Sequence, residues 1–141
     1  MQKRSFVVAL LSVFAVSVSL AQVPKTASPA GAKVYFIQPK DGDVIKGPVK
    51  VVMGLSGMGV APAGTDVPDT GHHHIFVDAG DVNPDAPIPV DDNHRHFGKG
   101  QTEATLTLPP GKHTLQLVFG DKFHIPHNPP VVSGKITITV E

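Results

Sequence analysis

The chain has 141 residues, with twelve Lys/Arg against twelve Asp/Glu, eight histidines, one tyrosine, and neither cysteine nor tryptophan. A balanced charge with no basic stripe excludes the electrostatic footprint of a nucleic-acid binder. The lack of cysteine excludes disulfides, thiolate metal sites and thiol catalysis.

Residues 1–21 carry the pattern of a cleavable secretory signal. Lys3 and Arg4 give a positive start, Ser5 to Leu20 form an apolar run, and Ser19-Leu20-Ala21 supplies small side chains for cleavage. The run is shorter than the roughly 20 apolar residues of a membrane span, so it reads as a signal and not an anchor. Cleavage would leave about 120 residues from Gln22, enough for one domain. The two lysine and arginine residues removed leave ten basic against twelve acidic side chains, a formal charge of −2. The expected location is periplasmic or secreted, with no membrane insertion after cleavage.

Residues 22–32 are small, proline-containing and unpatterned, and read as a flexible leader; 33–141 read as a single domain. Val34 to Ile37 is a short β-rich run ended by Pro39, and Lys40-Asp41-Gly42-Asp43 is a turn. Val49 to Leu55 is a second strand with Val49, Val51, Met53 and Leu55 on one face. Residues 56–71, rich in Gly and Pro, read as a long loop. A third strand covers His73 to Asp78, and 79–100 reads as another long loop. Three segments with period-two alternation follow. Ala104, Leu106 and Leu108 share a face in the first, then Leu115, Leu117 and Phe119 after the Pro109-Pro110-Gly111 turn, then Ile136, Ile138 and Val140. No 3.6-residue pattern persists after the signal. The expected fold is all-β, an immunoglobulin-like antiparallel β-sandwich of about seven strands, with a small barrel as the alternative.

Seven of the eight histidines fall in groups: His72-His73-His74, His94-Arg95-His96, and His124-Ile125-Pro126-His127. Imidazole is the commonest protein metal ligand. Residues two apart in a strand share a face, roughly 6.6 Å apart along the chain, so their rings can converge on one ion. His72 and His74 have that spacing, and so do His94 and His96. Pro126 stiffens the segment between His124 and His127 and lowers the entropy lost on chelation. These six histidines are the expected ligands, with Met58, in a Gly-rich loop, as a soft seventh. Copper is the expected ion and zinc the alternative, because imidazole suits both and a thioether favours Cu(I). Met53 shares parity with Val51 and Leu55 and reads as core.

The competing reading makes histidines at loop–strand junctions structural braces, bonded to partners such as Asp78, Asp91 and Asp92. It fits His113 best, which shares parity with Leu115 and Leu117. It also fits His73, which shares parity with Ile75 and Val77.

The runs Gly71 to His74, His96 to Ala104 (HFGKGQTEA), Pro110 to Leu117 (PGKHTLQL) and His124 to His127 (HIPH) together resemble a bacterial family of exported domains of unknown function. The similarity extends from about Lys33 to Val140. It implies export and a single β-domain, and it implies no particular ligand.

The first functional expectation is therefore an exported metal-binding protein for storage, delivery or tolerance of copper, partnered by the metal ion and with another envelope protein as a candidate partner. The alternatives are a metal-dependent oxidoreductase on the same scaffold and an envelope binding module whose histidines are structural. No catalytic residue is assigned. A hydrolase elbow is missing its last glycine, since Gly54-x-Ser56 is followed by Gly57-Met58. The aromatic platforms of sugar binders are also missing, Phe97 and Phe123 being the only loop aromatics. Clustered imidazoles would also repel one another if protonated together near pH 5–6, which makes a pH sensor a further variant.

Overall fold

Alternating apolar residues need a sheet with one face turned inward, and the computed structural model supplies two such sheets. It describes residues 16–19 and 22–141; the rest of the expected signal segment lies outside the described residues. Every regular element among the described residues is a strand: β1 (Lys33–Gln38), β2 (Val44–Ile45), β3 (Val49–Ser56), β4 (Gly59–Val60), β5 (Thr70–Val77), β6 (His94–Phe97), β7 (Glu103–Leu106), β8 (Gly111–Gly120) and β9 (Ile136–Val140). One sheet has the order β1-β3-β7; the other has the order β2-β9-β8-β5-β4, with β6 paired to β5.

The inward residues of both sheets build one core. Val34, Val49, Val51, Met53 and Leu106 from the smaller sheet meet Ile75, Val77, Leu115, Leu117, Phe119, Ile138 and Val140 from the larger. Full burial of each large aliphatic or aromatic side chain contributes about 1.5–3 kcal/mol. The alternation expected for β3, β8 and β9 is thus the alternation of core contacts.

The architecture differs from the expected one in two ways. Among the described residues there are nine strands instead of about seven, because β2 and β4 are two-residue strands within turn-rich sequence and β6 lies in a stretch that reads as loop. The sheets are not wholly antiparallel, since β2 pairs with β9 and β4 with β5 in parallel. The turn at Pro109-Pro110 carries the chain between sheets, since β7 pairs with β3 while β8 pairs with β5 and β9.

β5 is the element that positions the histidines. β8 lies along one of its edges, and β4 and then β6 lie along the other. It is buried on both faces from Gly71 to Val77. His73, Ile75 and Val77 face the core, where the His73 ring meets Phe119 edge-on at 5.1 Å. His72, His74 and Phe76 have the opposite parity. Their face is covered by the loop after β5: Ile88 packs with Phe76 and Val118, flanked by Ala79 and Val82.

β6 forms because the chain is turned sharply just before it. The Asp91 carboxylate accepts the backbone N–H groups of Asn93 and His94, both at 2.9 Å. The Asn93 side chain donates to the Val77 carbonyl at 2.8 Å, and its own carbonyl accepts the Val77 N–H. Breaker residues in 79–90 mask this strand, yet four residues beyond them suffice to pair with β5.

Candidate metal centre

Strand register decides which histidines meet. His74 lies opposite His96 on β6 and opposite Val118 on β8. His72, one pair along the same face, lies opposite Gly120. Two adjacent strands, β5 and β6, therefore place His72, His74 and His96 side by side on the face away from the core.

The fourth ring comes from the turn after β8. The His124 N–H donates to the Asp121 carbonyl at 3.0 Å, and His124 has a φ of 63°. That left-handed conformation, unusual outside glycine and asparagine, swings the ring back over the sheet. The Asp121 carboxylate holds the turn by accepting the N–H groups of Phe123 at 2.8 Å and Ile125 at 3.0 Å. The Ile88 N–H donates to the His124 carbonyl at 2.7 Å, which ties the covering loop to the same turn.

His72, His74, His96 and His124 each offer a ligand atom, and these atoms all lie within 4.8 Å of one another. Ring centroids are 4.5 Å apart for His96 and His124, 4.7 Å for His72 and His74, and at most 5.9 Å, for His74 and His124. His72 and His74 are fully buried, while His96 and His124 are half-buried. Both nitrogens of His72 and His74, Nε2 of His96 and Nδ1 of His124 are buried without a hydrogen-bond partner. Leaving such groups unsatisfied costs about 1–3 kcal/mol each, so the group is expensive unless something binds its lone pairs.

Two glycines make room for the rings. A Cβ on Gly120 would stand 2.8 Å from Cε1 and 3.2 Å from Nδ1 of His74. A Cβ on Gly98 would stand 2.6 Å from Nε2 of His96.

Burial and mutual repulsion disfavour the charged form of His72, His74 and His96. Burial, then the neighbouring His124 and His96, pushes His72 down to about 4. Burial, then His72, His96 and His124, pushes His74 down to about 2. His96 is lowered by burial and by His124. Neutral imidazole is the form that ligates metals. Four imidazole nitrogens on converging rings can hold a metal ion. A tetrahedral zinc site, with Zn–N of about 2.0–2.1 Å, needs nitrogens about 3.3 Å apart, so inward shifts of about 1 Å would close the cage.

The structure places the other expected ligands elsewhere. His94 shares the outer face but lies opposite Phe76, meeting its ring edge-on at 4.5 Å, with Nδ1 2.8 Å from the Asp91 carboxylate. His127 is three residues from His124, an odd offset that in extended chain turns it to the other side. There it stacks on Phe119 at 5.9 Å, with long contacts of 3.4 Å to the Phe119 and Thr70 carbonyls. Met58 packs against the apolar core, which accounts for its thioether without an ion.

Of the two histidines outside the expected set, His113 is a brace. Its ring nitrogens lie 2.7 Å from the Asp78 carboxylate and 2.7 Å from the Pro109 carbonyl, and the Asp78 bond raises its pKa. His73 is buried on the core side with neither nitrogen partnered, and burial pushes it down to about 4.

Sequence reasoning passed over Gly98, Gly120 and Asp121. The register of β8 against β5 reveals Gly120, the close approach of the His96 ring reveals Gly98, and the turn at His124 reveals Asp121.

No curated protein and no solved structure matches the chain. The family model described as "Domain of unknown function (DUF4399)" matches residues 51–141, the stretch that contains all four converging histidines, and the chain belongs to that family.

Proposed function

We propose that this protein is an exported metal-binding protein that holds one copper ion between His72, His74, His96 and His124, for storage, delivery or tolerance. The observation that carries the reading is the convergence of four imidazoles, with ligand atoms within 4.8 Å of one another, whose buried nitrogens have no other partner. Export is supported by the signal-like residues 1–21. An immunoglobulin-like sandwich is the scaffold this reading favours, supported by two sheets sharing one core.

Copper is favoured over zinc because divalent copper binds nitrogen sites more tightly along the Irving–Williams series. The thioether argument for Cu(I) does not contribute, since Met58 packs against the core. Four protein donors would fill a tetrahedral ion's coordination, whereas catalytic sites keep a position open. That favours holding over turnover.

The test is calorimetry of the tag-free protein with Cu(II), Cu(I) and Zn(II), after elemental analysis of the native preparation. Binding tighter than micromolar is expected. At about a hundredfold excess over Kd the ion adds about 2.7 kcal/mol, a rise of roughly 10 °C in melting temperature for a domain this size. Binding of all three ions no tighter than micromolar would refute the proposal.

A further inference from the structure

Among the described residues, Asp121 is the one acidic side chain that is buried, at 1% exposure. It joins no ion pair: each described salt bridge uses another carboxylate. Its three hydrogen bonds all come from neutral donors, the N–H groups of Phe123 and Ile125 and the Thr26 hydroxyl at 2.7 Å. A buried carboxylate without a cation is costly, and proteins normally resolve that cost with a paired charge or a metal. The adjacent cage offers four imidazoles and no carboxylate, so a divalent ion held there would bring two uncompensated positive charges into a buried site. Asp121 stands next to that cage through the turn it holds: its carboxylate accepts the N–H groups of Phe123 and Ile125 on either side of His124, and its carbonyl accepts the His124 N–H.

We propose that Asp121 is a positioning residue and the counter-charge of the histidine cage, making the site selective for divalent over monovalent cations. The proposal rests on the metal-binding reading above and adds to it the charge of the ion preferred. The same carboxylate performs both tasks. Oδ1 shapes the turn that presents His124, and Oδ2 anchors the turn to Thr26. The 26–28 segment is itself fixed to the chain beyond the cage: the Asn128 N–H donates to the Thr26 carbonyl at 2.9 Å, and the Ser28 N–H donates to the Asn128 carbonyl at 3.1 Å. Residues that read as a free leader thus brace the loop carrying the fourth ligand.

Zn(II) and Cu(I) separate the two tasks, because both are d¹⁰ ions that accept four imidazoles and they differ by one charge. Coulomb energy is proportional to the ion's charge, so removing a fixed anion weakens the divalent ion by the square of the factor lost by the monovalent ion. Asp121→Asn keeps an oxygen acceptor for the turn and removes the charge. Thr26→Val keeps the charge and removes the anchor. Affinities are read by anaerobic competition with chromophoric chelators on the full mature chain, with circular dichroism confirming that each variant is folded.

The expected result is a loss of about tenfold or more for Zn(II) in D121N and about the square root of that for Cu(I). T26V should weaken both ions by a similar factor. Equal losses, or none, in D121N while the parent binds both ions would overturn the counter-charge and leave the metal site standing. A parent chain that binds neither ion would overturn both readings together.

Discussion

Replacing Gly120 or Gly98 by alanine tests whether the rings are placed by the space these glycines leave. At Gly120 the new Cβ would meet His74 Cε1 at 2.8 Å and Ile88 Cδ1 at 3.2 Å. His74 is fully buried among three other rings, so it cannot swing away freely. Overpacking of this kind costs about 1–3 kcal/mol. A stiffer unfolded chain offsets about 0.4–1 kcal/mol of it. The expected net loss is about 1–2 kcal/mol, a fall in melting temperature of roughly 4–8 °C, together with a loss of Zn(II) affinity of at least about tenfold. At Gly98 the clash with His96 Nε2, at 2.6 Å, is more severe. His96 is half-buried, however, and its ring can tip outward. G98A should therefore leave the metal-free melting temperature almost unchanged while affinity falls by a similar factor. Thermal melts with and without Zn(II), alongside chelator competition, read both quantities. If G98A bound Zn(II) within twofold of the parent, His96 would not hold the ion in the orientation described, and the space argument would fail.

Four further outcomes follow from the same geometry. The metal-free protein should lose stability as the pH falls below 6.5, because His72 and His73, held near 4, bind fewer protons in the folded state than in the unfolded chain; each should remove about 2 kcal/mol by pH 5, measured as urea midpoints at pH 7 and 5. His113 has the opposite sign: its raised pKa gives stability present below pH 6.5 and lost as the pH rises through the raised value, so His113→Ala should be more damaging at pH 6 than at pH 8. His73→Leu should stabilise the metal-free protein by about 1–2 kcal/mol with no change in metal affinity, since it removes two unpartnered nitrogens from the core; any loss of affinity would place His73 in the site. His94→Ala and Met58→Leu should leave Zn(II) affinity within twofold, whereas His72→Ala or His124→Ala should lower it by a hundredfold or more, about 2.7 kcal/mol for each ligand lost.

The alternation of Val49, Val51 and Met53, and of Leu115, Leu117 and Phe119, was legible because each strand has a core neighbour on one side. The same period-two rule puts His72 and His74 on a common face. It cannot say which residue of a partner strand lies opposite. His94 and His96 share parity, and only the pairing of β6 with β5 sets His96 against His74 and His94 against Phe76. Non-local register of that kind is carried by packing across strands, which no local window contains. β6 itself was hidden because its four residues follow a run of breakers and are held by Asp91 and Asn93. The His124–His127 pair shows a different limit. Pro126 stiffens the segment as chelation would require, but the left-handed turn at His124 and the odd offset send the two rings to opposite sides.

X-ray absorption at the metal edge of the loaded, tag-free protein tests the four-imidazole cage most directly. The account predicts a shell of nitrogens at about 2.0 Å with multiple scattering from four imidazoles, in copper- and zinc-loaded samples alike. A shell built mainly from water or carboxylate oxygens, with fewer than three imidazoles, would contradict it.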